Sequence, residues 1–243
     1  MRRALTFGAF LLLSAPSIGR AQQAPLRYRV HPWPDGAVVV AGLSAALVPV
    51  LWPNGFPHAT CAPCDPAALW AVDRGTVGPV RSGVSTLSTG TLALEAVLGA
   101  AFLASSRRGE GLAPFVEDAT VIAQAVTVTA ATTEWAKLLF HRPRPFLYAP
   151  DAAGPVAADD GRSMPSEHAS IAFAAAAAYA SVLHRRGVAG RNKLQIAALF
   201  AAAAATAALR VAAREHFPTD VAAGAVLGFA VGWTLPALHA TLP

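Results

Sequence analysis

Three groups of polar residues interrupt an otherwise apolar chain: Lys137 with Arg144-Pro145, then Pro165-Ser166-Glu167-His168, then Arg210 with His216 and Asp220. Together they supply three fixed cations, one hydroxyl, two imidazoles and one aspartate carboxylate. A set of this kind can hold a tetrahedral oxyanion, attack it with a histidine and protonate the group that leaves.

Each group has a chemical reading and a plainer one. The planar fork of Arg144 suits two phosphate oxygens at once, with Lys137 adding a point charge; the same residues, with Arg142, also fit a basic belt at a membrane edge. Pro165-Ser166 before an apolar run predicts a helix start with Ser166 at the N-cap. The free amides of that first turn form an anion site within reach of His168; alternatively Ser166 simply caps beside an incidental histidine. His216 and Asp220 are spaced i,i+4, so the carboxylate can orient the ring and leave its other nitrogen free to attack. Arg210 can then hold the equatorial oxygens of a pentavalent transition state. Taken alone, a His-Asp pair is also common in protein cores.

These groups sit at the ends of long apolar segments. The 243 residues are 54% hydrophobic and 14% charged, with mean hydropathy +0.45, which is too apolar for an ordinary soluble domain. Six segments are expected as helices, at 37–52, 84–104, 115–140, 167–183, 194–213 and 220–238, because alanine and leucine dominate and strict alternation is absent. The expected fold is therefore all-α, a bundle of about six helices embedded in a membrane. Alanine runs at 174–178 and 201–205 predict close helix packing. The formal charge of +5 is scattered through short loops, which excludes a nucleic-acid-binding face and favours an anionic small molecule or lipid as partner.

Arg2 and Arg3, an apolar run from Ala4 to Leu13, and small residues to Ala21 form an export leader over 1–21, cleaved or retained as an anchor. A segment with the first helix and a C-x-x-C follows over 22–83, then the functional core over 84–238. Cys61 and Cys64 are expected to form a local disulfide in an exported chain. Arg107, Arg108, Arg185, Arg186, Arg191 and Lys193 crowd two loops opposite the polar groups, which predicts those loops inside and the site at the periplasmic face. With an exported N-terminus this count requires that the first apolar segment, marked by Pro49 and flanked by Trp33 and Trp52, does not cross, or that the protein is soluble and periplasmic.

The pattern K-x6-R-P, P-S-x-H and R-x5-H-x3-D, each part at a helix end, resembles the superfamily of type 2 phosphatidic acid phosphatases and vanadium haloperoxidases over roughly Val84 to Trp233. The resemblance implies a phosphatase acting on phosphate monoesters or diphosphates, with a lipid phosphate or periplasmic ester as substrate. In that scheme His216 is the nucleophile of a phosphohistidine intermediate, Asp220 orients it and His168 protonates the leaving group. Lys137, Arg144, Ser166, Arg210 and the amide of Glu167 bind phosphate. The scheme needs no metal and no cofactor, although vanadate is expected to bind as a phosphate mimic. Two positions depart from the pattern: Glu167 stands where glycine is usual, and Leu209 where serine usually precedes the arginine. Glu167 is expected to point away, to pair with Arg142 or Arg214, or to narrow the substrate range. The acidic segment 147–162 is expected at the pocket mouth, where Asp151, Asp159 and Asp160 either repel highly charged ligands or, the preferred reading, simply solvate a loop. Competing functions are a vanadate-dependent haloperoxidase and a non-catalytic membrane protein that binds anionic lipid. The sequence says nothing of oligomeric state.

Overall fold

The apolar segments fold as six long helices in the computed structural model, which describes residues 28–57 and 61–239. They are α1 (Pro32–Leu51), α2 (Ser82–Ser106), α3 (Leu112–Phe140), α4 (Glu167–Arg185), α5 (Lys193–Ala212) and α6 (Pro218–Leu238). The regular elements of the described residues are helices and short 3-10 turns, as the composition predicts. The expected leader, 1–21, lies outside the described residues.

Successive helices alternate in direction. The C-terminal ends of α1, α3 and α5 meet the N-terminal ends of α2, α4 and α6 at one end of the bundle, where all three polar groups lie. At the opposite end the chain closes on itself, with the Arg29 amide donating to the His239 carbonyl at 3.0 Å.

Helix α4 is the central one. Ala172, Ala174, Ala176, Ala177 and Ala178 are all buried, so the first alanine run is the packing surface expected of it. The second is mostly outward-facing, with Ala203 its one buried member. The closest approach comes from a feature the composition conceals, Gly224, Gly228 and Gly232 along one face of α6. A Cβ at these positions would stand 2.5, 2.1 and 2.4 Å from the carbonyl oxygens of Ser166, Ser170 and Ala174. The two helices therefore run parallel with their backbones in contact, as small residues at every fourth position permit. That contact seats the start of α4 beside the start of α6, where the Ser166 amide donates to the Asp220 carbonyl at 3.0 Å.

Helix α1 differs from expectation. It is a 20-residue helix holding an 18-residue window of mean hydropathy 1.7, long enough to span a bilayer, with Pro49 only in its last turn. It runs parallel to α3, held by Gln124 donating to the Asp35 carbonyl at 3.0 Å and Trp135 to the Ala45 carbonyl at 3.0 Å. With α2, α5 and α6 it makes four helices long and apolar enough to cross a membrane. Val40 and Leu43 of α1, Leu94 and Val97 of α2, and Val226 and Phe229 of α6 are exposed, an apolar exterior that lipid would cover. In the basic loops at the far end, Arg107 and Arg186 both converge on the buried Asp118, at 2.7 and 2.5 Å.

The glycine face yields a stability prediction. Gly228→Leu must part α4 from α6 and should cost about 1–3 kcal/mol, the usual penalty of overpacking. Gly90→Ala, where the added carbon meets nothing within 4 Å, should be neutral or stabilising by about 0.5–1 kcal/mol. Thermal unfolding of the two variants in one detergent checks the contrast.

Candidate active site

The helix ends enclose a cavity of about 800 Å³ lined by Lys137, Arg144, Glu167, His168, Arg210 and His216. Residues 156–160 and Arg162 form one wall, so the segment between the first two polar groups borders the pocket as expected. Pro49, Val50, Pro53 and Asn54, at and after the end of α1, line another part. Arg162 ties that part down by donating to the Pro49 and Pro53 carbonyls at 3.0 and 2.7 Å.

His216 sits in the turn between α5 and α6 and is 2% exposed. Its Nδ1 lies 2.8 Å from the Ser163 carbonyl oxygen, an acceptor only, so Nδ1 carries the proton and Nε2 keeps its lone pair. That Nε2 faces Arg144 Nη1 at 3.5 Å. Asp220 is not the direct partner expected from the i,i+4 spacing: its Oδ2 is 3.7 Å from Nδ1, beyond hydrogen-bond length. Instead Oδ2 accepts from the Ser163 hydroxyl at 2.5 Å and the Phe217 amide at 2.8 Å. Asp220 thus fixes the two pieces of chain that hold the ring. Burial pushes the His216 imidazole down to about 3, against the opposing pull of Asp220 and with Arg144 and Arg210 adding to the fall. The ring is therefore neutral at ordinary pH.

His168 lies in the first turn of α4, its Nε2 3.2 Å from the Thr89 hydroxyl. Burial, then the charges of Arg210, Lys137 and Arg144, lower its pKa to about 4. Ser166 occupies the N-cap position but makes no capping bond. Its hydroxyl is buried without a partner among the described residues, as is Nε of Arg210. The first amides of α4 add further donors that helix bonding leaves unused.

Acids surround the three cations. Lys137 is paired with Glu134 one turn back on α3 and lies 3.8 Å from Glu167. Glu167 therefore turns toward Lys137 and not toward Arg142 or Arg214. Burial raises its carboxyl to about 7, with Lys137 opposing and Glu134 reinforcing the rise. Asp159 is no bystander: its carboxylate accepts from Arg144 Nη2 at 2.6 Å, and although burial acts upward, Arg144 and Lys137 hold its pKa below the usual range. Glu215 bridges Arg144 and Arg210 at 3.2 and 3.5 Å and accepts from the Ser85 hydroxyl at 2.9 Å. A carboxylate bridging two guanidinium groups marks where an oxyanion would sit.

Leu209 offers no hydroxyl, and Arg210 Nη1 donates to Ser85 and Ser88 of α2 at 3.1 and 3.3 Å. Arg142 lies outside the pocket wall. It donates to Asp220 at 2.6 Å and Asp73 at 2.7 Å, with its guanidinium 4.3 Å over the Phe217 ring, and so braces the carboxylate from behind. Cys61 and Cys64 are bonded in a disulfide, and Cys64 packs with Leu147, Tyr148 and Phe217 under the site. Among the described residues no group of three or more His, Cys, Asp or Glu is arranged to hold a metal ion.

Sequence reasoning missed Glu134, Glu215, Ser85, Ser88, Thr89 and Ser163. Glu134 was discoverable from its i,i+3 spacing to Lys137, and the α2 hydroxyls from the Ser/Thr cluster that opens an apolar helix.

A family model described as the PAP2 superfamily matches residues 118–242. The chain belongs to the PAP2 superfamily. All three polar groups fall inside the match, while α1 and α2 precede it. Neither a curated protein nor a solved structure matches the chain.

The electrostatics predict proton-linked anion binding. An oxyanion offsets the three cations that depress His168 and further raises Glu167, so the bound site holds more protons than the free one. Affinity for sulfate, whose own charge is constant in this range, should rise as pH falls from about 7 toward about 4, between the values of Glu167 and His168. Calorimetry in buffers of differing ionisation enthalpy should register proton uptake, diminished in His168→Asn.

Proposed function

We propose that this PAP2-superfamily protein is a phosphatase that hydrolyses phosphate monoesters or diphosphates through a phosphohistidine at His216. The observation that carries the reading is the fixed tautomer of a neutral, buried His216 whose bare Nε2 faces Arg144. A phosphoryl group held by Lys137, Arg144, Arg210, the Ser166 hydroxyl and the α4 amides, Glu167 included, presents its phosphorus to that nitrogen. Nε2 forms the P–N bond as the ester P–O bond breaks, and His168 gives its proton to the departing oxygen. His168, now neutral, takes a proton from water as the water oxygen attacks phosphorus. The P–N bond breaks, releasing phosphate and restoring both rings. Bound phosphate raises the His168 pKa toward the value its acid role requires, while Asp220 keeps Ser163 and Phe217 in place. The reaction as proposed uses no metal or cofactor, and vanadate should compete by mimicking the pentavalent state.

The apolar exterior supports a lipid phosphate, such as phosphatidate or a polyprenyl diphosphate, in preference to a soluble ester. The basic far-end loops support a periplasmic-facing site in the inner membrane, and the disulfide suits that compartment. An export leader followed by a crossing α1 would put the site on the other side.

Phosphate release from phosphatidate, polyprenyl diphosphate and an aryl phosphate should occur with at least one of them. It should fall by roughly 10³-fold or more in His216→Ala. A wild-type rate in that variant removes the nucleophile assignment. For topology, a cysteine introduced at Asp151 should react with impermeant maleimide on intact spheroplasts, and one at Gly187 only after lysis. The reverse pattern would place the site inside.

A further inference from the structure

A second cavity, sharing no residue with the phosphate pocket, lies between α2, α3, α4 and α5. It is about 280 Å³ and walled by Ala100, Leu103, Phe115, Ile122, Val126 and Leu199, among other apolar residues, near the small end of ligand-site volumes. One acid lines it. Glu95, in the middle of α2, is 2% exposed, and neither carboxylate oxygen has a hydrogen-bond partner among the described residues. The other polar group at the wall is occupied, since the Tyr179 hydroxyl donates to Gln195 at 2.6 Å. The acid is two turns beyond Ser88, roughly 10 Å farther along α2 by helical rise, and the proposed chemistry makes no use of it.

An unpaired carboxyl buried in apolar surroundings is among the costliest groups a fold can keep, and ionisable residues at membrane depth are rare unless they serve a site. We propose that this cavity binds a hydrophobic amine, with Glu95 as counter-ion and the apolar wall around the hydrocarbon body. A neutral carboxyl meeting a carbonyl ligand would satisfy one oxygen and leave the other bare. An ammonium, with several N–H donors on one nitrogen, satisfies both. Arg107 pairs with Asp118 and Glu110, Lys137 with Glu134 and Arg210 with Glu215, and among the described residues no cation reaches the Glu95 carboxylate. A ligand is thus the source of positive charge that Glu95 lacks, and only an apolar one matches the rest of the wall.

The test uses two rigid probes of one shape, 1-adamantylamine and 1-adamantanol, on the full chain in lipid nanodiscs, with saturable binding followed by ligand-observed NMR. The amine should saturate and bind at least tenfold tighter than the alcohol. Glu95→Gln should erase that preference. Ala123→Phe, which fills the cavity and leaves the carboxyl in place, should abolish binding of both probes, and it keeps the proposal testable if the glutamine variant does not fold. Helix content by circular dichroism establishes that each variant is folded. Equal binding of amine and alcohol, no saturable binding of the amine, or undiminished amine binding in folded Glu95→Gln or Ala123→Phe would overturn the proposal.

Discussion

The backbone contact between α4 and α6 is the constraint on which the site depends. His168 and Ser166 belong to one helix, and His216 and Asp220 to the approach and first turn of the other. They meet only because Gly224, Gly228 and Gly232 let the two helices run parallel with carbonyl oxygens against α-carbons. Ordinary side chains at those positions would hold the axes at the usual 8–10 Å and draw the two histidine-bearing ends apart. The hydrogen bond from the Ser166 amide to the Asp220 carbonyl shows how tightly the ends register. The catalytic proposal is therefore a statement about helix packing before it is one about chemistry.

A second constraint is charge. Lys137, Arg144 and Arg210 would repel one another at the end of an apolar bundle, where screening is weak. Glu134, Glu167, Asp159 and Glu215 surround them in the free protein. Glu215 does the most, since one carboxylate bridges two guanidinium groups and takes a serine hydroxyl as well. In the proposed reaction a phosphoryl group would displace that internal anion or draw it into a new arrangement, exchanging one anion for another. The same acids temper the positive field at the pocket.

How much of this was legible in the sequence follows from the range of the forces involved. The six helices were, because apolar segments between Gly and Pro breakers are a local pattern. The motif residues that line the pocket were also legible, since each polar group falls within about a dozen residues of an otherwise apolar chain. What escaped reading depends on distant contacts. Glu215 precedes His216 in sequence yet acts only where α3's exit and α5 converge. Asp159 looked like a solvated loop acid until the fold set it against Arg144. The i,i+4 spacing placed Asp220 near His216, but the backbone of Ser163, more than fifty residues away, took the hydrogen bond. Helix α1 begins five residues before the expected segment, because Pro32 and Pro34 read as breakers, whereas in a first turn they interrupt almost nothing.

Helix α2, which precedes the region matched by the family model, holds part of the site. The serine that usually precedes the third-group arginine is leucine here, yet Arg210 still finds hydroxyls, from Ser85 and Ser88. Those residues stand before the region matched by the family model, on a helix that also supplies Thr89 to His168. One face of α2 thus holds residues of the candidate site at its first turns and, farther down, carries Glu95. The acceptors for Arg210 come from a neighbour with no sequence proximity to it, because a guanidinium requires acceptors at given positions and is indifferent to which helix provides them. Leu209 then changes the origin of the hydroxyls while leaving the guanidinium held, so its effect falls on how firmly α2 must dock and only secondarily on the oxyanion.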